Sequence, residues 1–80
     1  MNTKKREDNK KKFPNYEVLP DGTTKYWFEI EGRSGWRAQY VKVFDRQEVT
    51  ISFSQKIYDG NGVLVEIHEK YPIDKGHIKI

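Results

Sequence analysis

Hydrophobic and polar residues alternate with period two along most of the chain, which is the signature of half-buried strands. In residues 25–31, Tyr26, Phe28 and Ile30 fall on one face and Lys25, Trp27, Glu29 and Glu31 on the other. The aromatic and β-branched content supports a strand there. Residues 36–44 give a second strand. Residues 48–58 give a third, in which Val49, Ile51 and Phe53 alternate with Thr50, Ser52 and Ser54. Residues 63–71 give a fourth, with Val65 and Ile67 inward and Glu66 and His68 outward, and residues 77–80 a short fifth. Phe13, Pro14, Asn15 and Tyr16 form an extended, proline-broken lead-in.

Turn signals separate these segments. Pro20-Asp21-Gly22-Thr23, Gly32-Arg33-Ser34-Gly35, Asp45-Arg46-Gln47, Asp59-Gly60-Asn61-Gly62 and Pro72-Ile73-Asp74-Lys75-Gly76 are rich in turn-forming residues. Connections this short favour antiparallel neighbours, because a parallel crossover needs a dozen residues or more. No window combines a 3.6-residue period with helix caps, so no helix longer than about one turn is expected. The expected fold is therefore all-β: an antiparallel meander of about five strands forming residues 13–80, with residues 1–12 as a disordered basic tail.

Turn geometry predicts register. Asp59 closing on Val63, with Gly62 left-handed, sets Ile57 opposite Val65, Gln55 opposite Ile67 and Ile51 opposite Tyr71. Phe44 pairing with Val49 sets Tyr40 opposite Phe53 and Trp36 opposite Ile57. The predicted core is then Tyr40, Ile51, Phe53, Ile57, Val65 and Tyr71 on a shared face. Val41 and Val43 fall on the other face, which a bulge or partial cover there would explain. A sheet with one apolar face must bury it. With no helix predicted, the sheet either curls into a small barrel, the favoured form, or packs on a second copy. Monomer and homodimer both stay open.

Charge is unevenly placed. The chain has 80 residues and a formal net charge of +3. Residues 1–12 hold six Lys/Arg against two Asp/Glu, a net +4, whereas residues 13–80 hold nine against ten, a net −1. There is no cysteine, hence no disulfide, thiolate metal site or thiol nucleophile, which fits a cytoplasmic protein. No apolar run approaches the ~20 residues of a membrane-spanning helix, and the basic N-terminus leads into no signal-peptide core.

Three groups of residues can carry chemistry. Lys4, Lys5, Arg6, Lys10, Lys11 and Lys12 can neutralise phosphates. Trp27, Arg33, Arg37 and Lys42 place cations among aromatics, the means by which sheets stack single-stranded bases. The glycine-rich segment from Gly32 to Arg37 can also offer backbone amides and two guanidiniums to a phosphate. His68 and His77, with Glu66, are the third group. One register of the last hairpin sets the two imidazoles opposite each other, and another sets them on opposite faces. Facing each other beside a carboxylate, they can act as general acid and base on an RNA 2′-hydroxyl. The run His68-Glu69-Lys70-Tyr71-Pro72 is not a zinc-protease motif, because proline stands where the second histidine is required. No cofactor or metal is expected.

The segments Gly35-Trp36-Arg37-Ala38-Gln39-Tyr40-Val41-Lys42, Tyr58-Asp59-Gly60-Asn61-Gly62-Val63-Leu64-Val65-Glu66 and His68-Glu69-Lys70-Tyr71-Pro72-Ile73-Asp74-Lys75-Gly76-His77 resemble those of small uncharacterised bacterial proteins. That resemblance implies no particular activity. A fainter similarity links the chain to short β-sheet members of toxin–antitoxin systems, which often act on RNA. The first functional expectation is a non-enzymatic module that binds single-stranded nucleic acid. A small RNA-cleaving enzyme and a protein-interaction or inhibitor module are the alternatives.

Overall fold

The computed structural model describes residues 3–80; Met1 and Asn2 of the expected tail lie outside them. One antiparallel sheet runs in the order β1-β2-β3-β4-β5-β6, each strand beside its sequence neighbour. The strands are β1 (Asn15–Val18), β2 (Thr24–Glu31), β3 (Arg37–Phe44), β4 (Thr50–Tyr58), β5 (Leu64–Tyr71) and β6 (His77–Lys79). The meander is thus as expected, with the lead-in supplying a sixth strand. The sheet is open rather than barrel-like: β1 and β6 are edges that do not meet. Closure would need bulges or glycine kinks repeated around the sheet. Bulges interrupt only the β3–β4 and β4–β5 pairings, and every glycine sits outside the strands.

The disordered tail is the main correction. Thr3–Lys12 forms a helix, α1, although the segment contains no apolar residue. Local charge pairing contributes, since Lys4–Asp8, Glu7–Lys11 and Asp8–Lys12 are spaced i,i+4. Lys10, Lys11 and Lys12 lie in the last turn, where the helix dipole favours cations. Pairs of this kind add only a few tenths of a kcal/mol each, and an isolated helix of ten residues is marginal. Tertiary contact supplies the rest. Arg6 Nε and Asn9 Nδ2 each donate to the Glu48 carboxylate at 2.9 Å. Phe13, directly after α1, is buried against Tyr26 and Phe28, with ring centroids 5.8 and 5.6 Å away.

Cross-strand partners share a face, which divides the sheet into two sides. The front carries Tyr16, Thr24, Tyr26, Phe28, Tyr40, Lys42, Phe44, Phe53, Gln55, Glu66, His68 and His77. The back carries Lys25, Trp27, Glu29, Arg37, Val41, Lys56, Tyr58 and Ile67. The helix lies on the front, over the end where β2 and β3 pair Thr24 with Phe44.

The core sits beneath that helix. Phe13, Tyr26 and Phe44 form the buried cluster, with Phe28 packed against it. The predicted core was misplaced. Ile51 is 43% exposed and Tyr71 46%, while Tyr40, Phe53 and Ile57 are only half-buried. The helix covers only one end of the front, so the middle of that face stays partly open. Register differs too: Phe44 pairs with Thr50 rather than Val49 and a bulge follows, so Phe53 faces Lys42 rather than Tyr40 and Ile57 faces Ala38 rather than Trp36, a two-residue shift that keeps both on the front. A second bulge, just after the pairing of Tyr58 with Leu64, slips β5 by one residue. Ile57 therefore faces Glu66, and Gln55 faces His68. One residue of slip exchanges the two sides of a strand, so Glu66 and His68 come to the front and Ile67 goes to the back. Val41 is buried on the back, so of the two explanations open for its facing, partial cover applies to it.

Candidate nucleic-acid interface

The front face beyond the helix is an aromatic row. Phe28 and Tyr40 stack at 4.9 Å with their planes 14° apart, and Tyr40 reaches Phe53 at 6.4 Å. Phe28 and Tyr40 are direct cross-strand partners, and Phe53, opposite Lys42, stands diagonally from Tyr40 on the same face. Two ammonium groups lie over the row. Lys42 Nζ is 5.1 Å from the Phe53 ring centre, and Lys70 Nζ is 5.5 Å from both Tyr40 and Phe53. The slip of β5 brings Lys70 to the front with Glu66 and His68, and a third bulge, between the pairings of Ser54 with Glu69 and Phe53 with Tyr71, sets Tyr71 there as well. Neither was among the expected site residues, because the expected register put Lys70 on the side away from Phe53 and Tyr71 in the core. The row ends in a hollow of about 420 Å³ lined by Lys42, Val49, Thr50, Phe53 and Tyr71.

The expected binding residues divide between the faces. Lys4, Lys5, Lys10, Lys11 and Lys12 are exposed on α1, at the front. Arg6 is half-buried, with its Nε committed to Glu48. Lys42 also lies at the front. Trp27 and Arg37 lie on the back. There Lys25 covers the Trp27 ring at 5.1 Å, and Arg37 sits between Glu29, at 3.3 Å, and the face of Tyr58, at 4.8 Å. Arg33 is exposed in a one-turn 3-10 helix, Arg33–Gly35, at the β2–β3 connection. Of the amides expected to cradle a phosphate there, Gly32 N–H donates to Trp36 O at 2.6 Å and Trp36 N–H to Arg33 O at 3.0 Å. Those two donors close the turn on itself.

The last hairpin adopts the register in which His68 faces His77, with ring centroids 4.3 Å apart. His68 Nε2 is 2.7 Å from Asp74 Oδ1, and His77 Nδ1 is 3.5 Å from Glu66 Oε1. Asp74 also accepts the Gly76 N–H at 2.9 Å. That bond first, and His68 second, hold its carboxyl below the usual aspartate range. His68 Nδ1 is buried without a partner, and the side chain is 14% exposed. Imidazoles in ring contact leave no space for a phosphate between them. With one nitrogen on Asp74 and the other enclosed, His68 offers an incoming 2′-hydroxyl no free acceptor. Among the described residues, no three His, Asp or Glu side chains are grouped so as to hold a metal ion. Nor is any helix there long and apolar enough to cross a membrane.

Comparison with family models, with curated proteins and with solved structures returns no significant match.

Proposed function

We propose that the protein is a non-enzymatic module that holds single-stranded nucleic acid across the front face of its sheet. The observation that carries this reading is the ring row Phe28–Tyr40–Phe53 with the Lys42 and Lys70 ammonium groups over it. Rings accept bases of any identity, since every base has a π-face, and ammonium groups accept the linking phosphates. The exposed lysines of α1 extend the positive charge on the same side. The back face is less suited, because Arg37 is engaged by Glu29 and Tyr58 there. Backbone contacts fix position and stacking tolerates sequence, so affinity should vary little among sequences.

The test is fluorescence anisotropy of a labelled single-stranded RNA against the full chain at several salt concentrations. Four or five phosphate contacts give a log–log salt slope of about −3 for a single strand. The triple variant Lys4→Gln, Lys11→Gln, Lys12→Gln should weaken binding to all sequences alike and flatten the slope. These substitutions leave the Arg6 and Asn9 contacts to Glu48 in place, and because they also remove the i,i+4 pairs of α1, circular dichroism of the variant checks that the helix is retained. The RNA should be recovered at full length after incubation. Absence of binding at 50 mM salt would overturn the reading in favour of a protein-interaction module. Cleavage abolished by His77→Ala would instead favour the RNA-cleaving alternative.

A further inference from the structure

We propose that the hollow between Lys42 and Tyr71 receives a single nucleobase of the bound strand, an inference that rests on the reading above. Its walls suit a flat aromatic ring. Phe53 and Tyr71 are cross-strand partners on β4 and β5, and Val49 and Tyr71 are respectively 53% and 46% exposed. Apolar surface is therefore open to solvent at a concave site, the arrangement small ligands use. Its size, about 420 Å³, lies at the lower end of the range for small-molecule sites and suits one base with its sugar.

Charge selects the occupant. Lys42 lines the hollow and Lys70 stands over the neighbouring Phe53 ring, so a phosphate on either side of the base would meet an ammonium group. No carboxylate lines it. The second large hollow, lined by Trp36, Val65, Glu66, Lys79 and Ile80, includes the Glu66 carboxylate and would repel a phosphodiester. Val49 directly follows Glu48, the residue on which α1 is moored, so the hollow lies at the helix-bearing end of the sheet. The lining offers the Thr50 and Tyr71 hydroxyls and an ammonium group but no amide or carboxylate side chain. Such a lining stacks a base without reading its edge, so the ligand class is a nucleotide within a single strand, of any base.

The experiment compares octa-adenylate RNA with an abasic oligomer of equal length and charge, on the full chain, by anisotropy at 50 mM salt. Bases on the ring row and the base in the hollow both favour the adenylate, and the hollow's share is about 10-fold. Tyr71→Ala should reduce the adenylate's advantage by about that factor while leaving abasic binding unchanged, and Tyr71→Phe should retain the full advantage. An advantage undiminished in Tyr71→Ala would overturn the pocket, while the advantage itself and its salt dependence would still support the broader reading. Equal weakening of both strands by Tyr71→Ala would also overturn it, since Tyr71 would then act on the backbone or the fold. Binding of neither strand would remove both proposals together.

Discussion

Glu48 occupies the position in the β3–β4 loop that Gly62 occupies in the β4–β5 loop. In each loop the N–H of the first residue donates to the carbonyl of the fifth, Asp45 to Val49 and Asp59 to Val63, both at 2.9 Å. In each, the fourth residue donates back to the first at 3.0 Å and is left-handed, with φ of 62° at Glu48 and 79° at Gly62. The loop from Leu19 to Thr23 repeats the pattern with Gly22 at the same place. Glycine adopts this conformation without strain, whereas a residue with a Cβ loses roughly 1–2 kcal/mol. Glu48 is kept there by what its side chain does: it is 3% exposed and joins Arg6, Asn9 and the Tyr26 hydroxyl.

Replacing Glu48 with glycine should therefore separate two effects. The loop gains back roughly 1 kcal/mol of backbone strain, while α1 loses its mooring. The expected outcome is a sheet that stays folded but melts several degrees lower, because the buried Tyr26 hydroxyl loses its partner, with residues 3–12 no longer helical. Amide hydrogen exchange across α1 checks this; full retention of protection there would show that Glu48 does not hold the helix.

Packing makes a second prediction. Phe13→Ala empties a buried ring site beside Tyr26 and should cost about 3–5 kcal/mol. Phe53→Ala, at a half-buried site, should cost clearly less. Urea melts of the two variants give the comparison, and equal costs would show that the core extends to the middle of β4.

Two turns touch through Gly60. A Cβ added there would lie 2.5 Å from the Ser34 carbonyl oxygen. Both contacting groups are backbone, so neither can rotate aside. Gly60→Ala should destabilise by about 1–3 kcal/mol, whereas Asn61→Ala in the same loop should be milder. Thermal melts of the pair check this.

Alkaline titration tests the buried phenol. Burial first, and the Glu48 carboxylate second, push Tyr26 up from 10.0 to about 12. The folded state thus holds the proton more tightly than the unfolded chain. That stabilisation, on the order of 2–3 kcal/mol, is fully present below pH 10 and is lost as pH climbs through about 12. Tyrosinate absorbance at 295 nm should show a late step that Tyr26→Phe removes.

Much of the fold is legible in the sequence because short connections and glycine-bearing turns are local signals. Asp59-Gly60-Asn61-Gly62 announces its own geometry, down to the left-handed Gly62. The facing of His68 and His77 is one of two registers the turn at Pro72 allows. What is hidden depends on distant partners or on single-residue slips. Nothing within residues 3–12 shows that Glu48, beyond two intervening hairpins, will hold them helical. Nothing in Lys70-Tyr71 shows that a slip at the start of β5 will bring Lys70 to the front or that a bulge will set Tyr71 beside it. The core lies under Phe13 rather than in mid-sheet because α1, which no local signal announces, covers only that end of the front.

The most direct measurement of the central claim is NMR titration of the full chain with a short single-stranded RNA at low salt, because the two faces report separately. Binding across the front predicts chemical-shift changes at Tyr40, Lys42, Phe53, Lys70 and Tyr71 and along α1, with the Trp27 indole N–H on the back unmoved. Shifts centred on Trp27, Arg37 and Tyr58, or no shifts at all, would contradict it.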